Sequence, residues 1–479
     1  MNKIETNLKD CYILEPKRFG DERGYFESVT EKELTNLGFN RIFQVSNSLS
    51  GKGIVRGLHF QKDPYCQAKV VRCHRGGVLD VVVDMRKDSP SYGNWTSVEL
   101  TPQNGRILYV PRGFAHGFVS LTDDTLFEYY VDNEYKPRLE GGILWNDPAL
   151  NINWDEIFKK YDIKEPILSA KDKVRESIKE CKTEFHRTPT RFLITGVNGQ
   201  LGYDVVKELQ NRGEIEYFAP KRNELDITNR EQVMNVVSKY KPDVIIHCAA
   251  WTAVDKAEDN YSDTIKVNVD GTRNLVDASI KYNSKIMYMS TDYVFDGTKT
   301  GLYTEEDKPN PKSVYGRTKL WGENEVRRNP NHFITRISWV FGINGSNFIK
   351  TMLRLADTHK ELNVVYDQVG SPTYTKDLAK LLVEMSYTDK FGTYNVNNNG
   401  YCSWAKFADY IMKINNKNTI INPVSTEEYI RLTNTKQAYR PRNSKLSKEK
   451  LVENGFELLP HWCDATERYC EELKKVRKI

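Results

Sequence analysis

Tyr315 and Lys319 stand four residues apart in VYGRTK. On a helix that spacing puts both side chains on one face. An ammonium near a phenol favours the phenolate and lowers the tyrosine pKa. Such a pair can hand a proton to the alkoxide that forms when hydride reaches a ketone. A Tyr-xxx-Lys by itself is common on solvated helices, so the chemistry needs a hydride donor's site elsewhere in the chain. STDYVFDG (290–297) adds the hydroxyl of Thr291 at a strand end, where parallel-sheet active sites form.

A second set of candidates lies in the first third. His59 in VRGLHFQ (55–61) and His116 in VPRGFAHGF (110–118) sit in strand-like runs. A metal site in a barrel wants His-x-His and a nearby Glu. His59 is flanked by Leu58 and Phe60, with Gln61 two residues on, and His74 and His116 are isolated, so no metal is expected. Hydrogen-bonded core histidines are a second reading, above all for His116. A third makes His59 a base. Removing a carbon-bound proton beside a ketone and returning it from the other face needs a base near neutral pKa, an opposing acid and a cation for the enolate oxygen. Histidine suits the first role, Asp172 could orient it, Tyr129 could be the acid and Lys69 the cation. The residues alone leave these readings open.

The elements that must position these groups differ between the two parts. Before residue 190 come short β-branched and aromatic runs broken by turns: KVVRC (69–73), VLDVVVDM (78–85), RILYVP (106–111) and LFEYYVD (126–132). That spacing predicts a β-sandwich or barrel. After residue 190, FLITG (192–196), DVIIHCAA (243–250), KIMYMS (285–290) and FITRISWVFG (333–342) alternate with helical patterns. Near-continuous apolar strands separated by helices predict a parallel, doubly wound sheet. The charged stretch 171–191 joins the halves and reads as a helical tail plus linker. The expected domains are 1–175 and 190–479, with a linker at 176–189.

ITGVNGQLG opens the second part as strand, glycine turn and helix. Gly196 permits the tight turn, Gly199 lets the backbone approach a pyrophosphate, and Gly202 lets helix and strand pack closely. Asn198, Gln200 and Leu201 share that turn and are expected to touch a dinucleotide; Lys319 could then bond its nicotinamide ribose. The next strand ends in Lys221 and Arg222, where a fold preferring NADH usually carries an acid. A basic end suits the 2′-phosphate of NADPH; Glu224, close by, keeps NADH as the alternative.

The 479 residues are too many for one ordinary core. They are 39% hydrophobic and 28% charged, and no apolar stretch is long enough to cross a bilayer. MNKIETNLKD has no apolar segment like that of a signal peptide. The eight cysteines form no CxxC pair, which points to neither zinc nor a disulfide framework and fits a reducing cytoplasm. The net charge of +5 comes from no dense basic block, so nucleic acid is not an expected partner.

Two resemblances sharpen these expectations. ITGVNGQLG, LDIT (225–228), AAWTAVDKAE (249–258), STDYVFDG, YGRTK, RISWVFG, DQVGSPT (367–373) and RPRNSKLS (440–447) resemble the dTDP-4-dehydrorhamnose reductases, extended members of the short-chain dehydrogenase/reductase superfamily with a Rossmann domain. That resemblance implies Thr291, Tyr315 and Lys319 as the catalytic set. It puts Asp226 and Ile227 near the adenosine, Ala249, Ala250 and Thr252 along the cofactor, and Asp292, Tyr293 and Trp339 against the sugar nucleotide. Trp251 stands where the family often has Tyr.

FGDERGYFES (19–28), RGLHFQ, AKVVRC (68–73), DMRKDSPSYGNW (84–95), PRGFAHGF, GGILWNDP (141–148) and LSAKD (168–172) resemble the dTDP-4-dehydrorhamnose 3,5-epimerases, built on a cupin-like jelly-roll barrel. This resemblance implies His59 as base, Asp172 as its partner, Tyr129 as proton donor and Lys69 beside the enolate. Tyr135 would stack on thymine, and Arg23, Glu27, Gln44, Arg56, His116, Glu140 and Lys171 would line the substrate. It also implies a homodimer through the barrel. Departures from the family pattern are Ser46, Tyr130 after Tyr129, and extra residues around DEIFKKYD (155–162).

The two resemblances are consecutive steps toward dTDP-L-rhamnose: epimerisation at C3 and C5 of a 4-keto-6-deoxy sugar nucleotide, then NAD(P)H-dependent reduction at C4. The ketone acidifies both neighbouring protons, so epimerisation comes first. The alternatives are the same chemistry on another 6-deoxyhexose nucleotide, such as 6-deoxy-talose or a UDP-linked sugar, or a nucleotide-sugar-binding protein with an inactive epimerase half. The retained His59, Tyr129, Lys69, Tyr315 and Lys319 speak against the last.

Overall fold

Period-two patterning builds the first part of the computed structural model, which describes residues 1–183, 185–212 and 215–476. In the strand Thr125–Val131, Phe127 and Tyr129 join one apolar cluster while Tyr130 joins another on the opposite face. Six antiparallel strands pair in the order Asn2–Glu5, Tyr12–Glu15, Ile107–Val110, Lys69–Arg75, Thr125–Val131, Gln44–Ser50. Five more pair in the order Glu140–Gly142, Val55–Gln61, Phe114–Ser120, Val78–Asp84, Trp95–Leu100, again all antiparallel. Val71, Leu108 and Phe127 from the first sheet meet Val82, Leu100 and Phe118 from the second in one buried cluster between them.

The outer face of the five-stranded sheet is closed by later chain. The extra residues after 150 form the helix Trp154–Lys160, which buries Trp154 and Phe158 there. The stretch expected to be a linker also packs there. Ile178, Cys181 and Phe185 are buried in the same cluster, and the Phe185 ring meets Phe60 edge-on at 5.2 Å. Arg187 pairs with Asp10, and the Thr188 hydroxyl donates to Asp88. Among the described residues of 175–189 there is no helix. The boundary between the two compact units accordingly falls between Pro189 and Thr190. The boundary moves because charged residues separate the anchors Ile178, Cys181 and Phe185, which hides their apolar spacing.

A truncation tests this. A fragment 1–189 should melt cooperatively, whereas 1–175 should be far less stable. Removing a buried Phe side chain alone costs about 3–5 kcal/mol, a large share of the roughly 5–15 kcal/mol that holds a domain. Equal melting temperatures by circular dichroism would show the tail to be dispensable.

In the second unit six parallel strands pair in the order Glu216–Phe218, Arg191–Thr195, Val244–His247, Lys285–Thr291, His332–Ile337, Gly392–Asn395. Apolar residues line both faces, as a sheet covered twice requires. Phe192, Ile194 and Ile246 pack with the helices Gln200–Gln210 and Thr375–Ser386. Leu193, Ile245 and Ile286 pack with Arg230–Tyr240 and Thr272–Lys281. The strand order reverses between Arg191–Thr195 and Val244–His247, and a crevice opens beyond the carboxyl ends at such a point. The remaining segments form a further cluster around Phe341, Phe407, Trp462 and Tyr469. Among the described residues no helix is long and apolar enough to cross a membrane.

Candidate active sites

The first unit holds a cavity of about 630 Å³ whose walls come from both sheets. His59 and His116 lie directly opposite each other in the register of neighbouring strands, so both project from the five-stranded wall. Lys69 and Tyr129 line the cavity from the six-stranded wall. His59 Nε2 lies 2.5 Å from Oδ1 of Asp172, a residue 113 positions away in a short turn. The inserted helix Trp154–Lys160 leaves that contact in place. Burial would raise the Asp172 carboxyl, but the His59 hydrogen bond and Arg175, with Nε at 4.0 Å, hold it below the usual carboxylate range.

Burial pushes the Lys69 ammonium down, opposed by Asp80 and Glu140. His116 Nε2 sits 2.9 Å from Oδ2 of the fully buried Asp80. Tyr135, half-exposed at the rim, donates to Glu140 Oε2 at 2.7 Å, and that contact pushes its phenol up to about 12. Glu140 also receives Arg175 at 2.9 Å and the Lys171 ammonium. Against its burial, these partners hold the carboxyl down to about 2. Gln44, Arg56 and Ser46 complete the lining among the residues expected to matter.

Two expectations are corrected here. Arg23 and Glu27 do not line this cavity. Arg23 caps an exposed hairpin, paired with Asp21, and Glu27 is held outside by Arg18 at 2.8 Å and Arg72 at 3.3 Å. Period-two alternation also turns Tyr130 to the outer face, where it donates to Glu128, so that departure from the family pattern does not touch the cavity. Asp80 and Arg175 were missed, because nothing local marks a carboxylate or guanidinium that supports another side chain across a sheet.

The second unit holds a cleft of about 500 Å³ at the point where strand order reverses. Gly196 has φ +73°, and a Cβ there would meet the Ala249 nitrogen at 2.5 Å; one on Gly202 would meet the Gly196 carbonyl at 2.3 Å. Gly199 precedes the helix Gln200–Gln210, whose free N–H groups and positive end face the cleft. A glycine turn leading into a helix N-terminus has the geometry of an anion cradle. Asn198, Gln200, Leu201, Arg222, Asp226, Ile227, Ala249, Ala250 and Thr252 all line it, with Lys221 beside Arg222. Glu224 is turned back to accept from the Lys221 backbone N–H at 2.7 Å, and the Asp226 carboxylate is occupied by Thr228. Lys221 and Arg222 therefore line the cleft at that strand end, and Glu224 does not.

Tyr315 and Lys319 line the same cleft from the helix Val314–Val326, capped by Ser313 Oγ accepting from Gly316 N at 3.1 Å. Burial pushes Lys319 down to about 7. Tyr315 corrects the sequence-based expectation: burial pushes its phenol up to about 12, and the hydrogen bond with Thr291 opposes that rise. Lys319 Nζ lies instead over the Tyr288 ring, 4.0 Å from its centroid. Tyr293 and Trp339 line the cleft. Asp292 and Thr291 do not. Asp292 is buried behind the wall, accepting from Thr291 Oγ1 at 3.0 Å and Ser444 Oγ at 2.5 Å, and burial raises it to about 6.

Known proteins match each unit separately. Residues 190–475 match the family model described as RmlD substrate binding domain, and residues 5–180 match that of dTDP-4-dehydrorhamnose 3,5-epimerase. The chain is 41% identical over 283 residues to a dTDP-4-dehydrorhamnose reductase of Aggregatibacter actinomycetemcomitans, covering 56% of this chain and 94% of the relative. It is 46% identical over 175 residues to a dTDP-4-dehydrorhamnose 3,5-epimerase of Shigella flexneri, covering 36% and 93%. A crystal structure of dTDP-4-dehydrorhamnose reductase from Bacillus anthracis in complex with NADP is similar at 41% identity, covering 59% of this chain and 99% of that one with a TM-score of 0.57. The chain thus belongs to the RmlD-type dTDP-4-dehydrorhamnose reductase family and, over its first unit, to the dTDP-4-dehydrorhamnose 3,5-epimerase family.

Proposed function

We propose that this chain epimerises dTDP-4-dehydro-6-deoxy-glucose at C3 and C5 and then reduces the C4 ketone, giving dTDP-L-rhamnose. The observation that carries this reading is the division of groups in the first cavity. His59, backed by Asp172, stands on one sheet, and Tyr129 with Lys69 stands on the other. A base and an acid on opposite walls can take a proton from one face of a sugar and return it from the other. Lys69 then stabilises the enolate oxygen that forms between. Tyr135 offers a ring to the thymine, and Gln44, Arg56, His116, Glu140 and Lys171 hold the rest.

In the second cleft NADPH fits the glycine cradle and the Lys221–Arg222 strand end; when bound it supplies the hydride. Tyr315 holds the proton for the C4 alkoxide, and its raised pKa keeps that proton in place until the alkoxide forms. Thr291 orients the phenol, Lys319 supplies positive charge, and Tyr293 and Trp339 wall the sugar. Asp292 supports Thr291 and acts one layer behind the contact expected of it.

The folds proposed are a cupin-like jelly-roll barrel and an extended short-chain dehydrogenase/reductase Rossmann domain. A homodimer through the barrel is supported by exposed Phe19, Tyr25 and Phe26 on one hairpin and exposed Val45 and Leu49 on the edge strand Gln44–Ser50. Such a dimer gives Arg23 and Glu27 a route to a substrate. Eight free cysteines suit a reducing cytoplasm. The test is to mix the chain with the keto sugar nucleotide and NADPH. NADPH should be consumed, faster than NADH, and the product's NMR spectrum should be that of the rhamno sugar. No consumption, or a product retaining the gluco configuration, rejects the reading.

A further inference from the structure

One turn beyond Lys319, the same helix carries Glu323, which is wholly buried. Its Oε1 accepts from Ser290 Oγ at 2.5 Å and Arg336 Nε at 3.0 Å. Its Oε2 accepts from Arg336 Nη2 at 2.9 Å and Arg327 Nη2 at 2.8 Å. Ser290 directly precedes Thr291, and Arg336 pairs with Ser290 in the register of the neighbouring strand. One carboxylate therefore ties the Tyr315–Lys319 helix to two strands at the edge of the cleft. The fit around it is close. Tyr288 OH donates to the Lys319 carbonyl at 3.3 Å, and a Cβ on Gly322 would meet that hydroxyl at 2.2 Å.

A buried ion pair is a weak source of stability, and apolar replacements of similar volume often match it. Its position is more telling. The groups facing Lys319 are Tyr315 and Glu323 on its own helix, Tyr288 on the strand beneath, and His247 and Cys248 at the next strand end. Burial holds His247 neutral, its imidazole pushed down to about 3, and raises the Cys248 thiol to about 12. Glu323 is thus the anionic group in that set, and it opposes the burial that discharges Lys319. We propose that Glu323 is a positioning residue for the reductase step: fastened by Ser290, Arg336 and Arg327, it sets the Tyr315–Lys319 face against Thr291 and keeps Lys319 charged.

This rests on the reductase reading, and two opposed variants of the full chain test it. Lys319 loses its proton as pH rises, so kcat for reduction should fall along an alkaline limb. Glu323→Gln removes the supporting anion, and the limb should move down by about one pH unit, with kcat at pH 8 falling while KM changes little. Arg327→Met removes a half-exposed cation from the carboxylate. Glu323 then acts on Lys319 less neutralised, and the limb should move up by about half a unit. Opposite shifts are not produced by loosened packing. If Glu323→Gln does not fold, Arg327→Met alone decides. An unmoved or lowered limb in Arg327→Met, or an unmoved one in folded Glu323→Gln, overturns the proposal. NADPH affinity against pH, read by nicotinamide fluorescence, follows the same lysine without turnover. A wild-type chain that binds NADPH but reduces nothing therefore counts against the proposed function, while the fluorescence shifts still judge Glu323. A chain that does not bind NADPH at all overturns both.

Discussion

Tyr315→Phe is expected to lower kcat for ketone reduction by about 10²–10⁴-fold, the usual loss for one positioned acid. That is roughly 3–5 kcal/mol of transition-state stabilisation. The helix should not notice the change: its cap is Ser313, and the ring keeps its edge-on contact with Tyr293 at 5.5 Å. What is lost is the hydroxyl partnered by Thr291 and the proton it carries. NADPH affinity should stay within a few-fold, because the glycine cradle, Arg222 and Lys319 are untouched. The first unit has its own cavity, with His59 as the proposed base. In heavy water the variant should therefore still wash deuterium into C3 and C5 of the keto sugar, and the 4-keto product should accumulate unreduced. Loss of exchange together with loss of reduction would place both steps in one site and refute the division.

Much of this division was legible in the sequence, for physical reasons that differ between the units. ITGVNGQLG could be read because the backbone leaves no room for a Cβ at Gly196, against the Ala249 nitrogen, or at Gly202, against the Gly196 carbonyl, and because strand, turn and helix follow one another locally. Tyr315 and Lys319 could be read because helical spacing alone brings them to one face. The epimerase cavity was different. His59 meets His116 through strand register, with a bulge between His116 and Phe118, and it meets Asp172 through a turn far along the chain. No local pattern carries those contacts, and only the family resemblance selected the residues.

Three of the readings that failed did so for physical reasons that local sequence does not report. The 176–189 stretch looked like a tether because Lys and Glu separate its buried anchors. Asp292 was expected at the substrate, but the turn after Thr291 points its carboxylate inward to Ser444. Tyr315 was expected to have a lowered pKa from its spacing to Lys319. Spacing does not report burial, which dominates at the phenol.

His59→Ala is expected to do the reverse of Tyr315→Phe. An imidazole is suited to accept a carbon-bound proton near neutral pH, and Asp172 at 2.5 Å is placed to orient the His59 ring and to stabilise its charged form. Deuterium exchange at C3 and C5 should fall by about 10²–10⁴-fold, and NADPH consumption from the unepimerised sugar should stop with it, for want of substrate. The buried Asp172 carboxylate keeps Arg175, with Nε at 4.0 Å, and its backbone N–H still donates to Ser169 Oγ, so the first unit should remain folded. His59→Gln, which can still donate to Asp172, separates loss of the base from loss of the contact, and should be as inactive as His59→Ala with a melting temperature closer to wild type. Hydride transfer needs no base at C3 or C5. When a separate active epimerase supplies the intermediate, the His59→Ala chain should reduce it at the wild-type rate. Persistent exchange in His59→Ala would remove His59 from the role of base, and failure to reduce supplied intermediate would mean that the two units are not chemically independent.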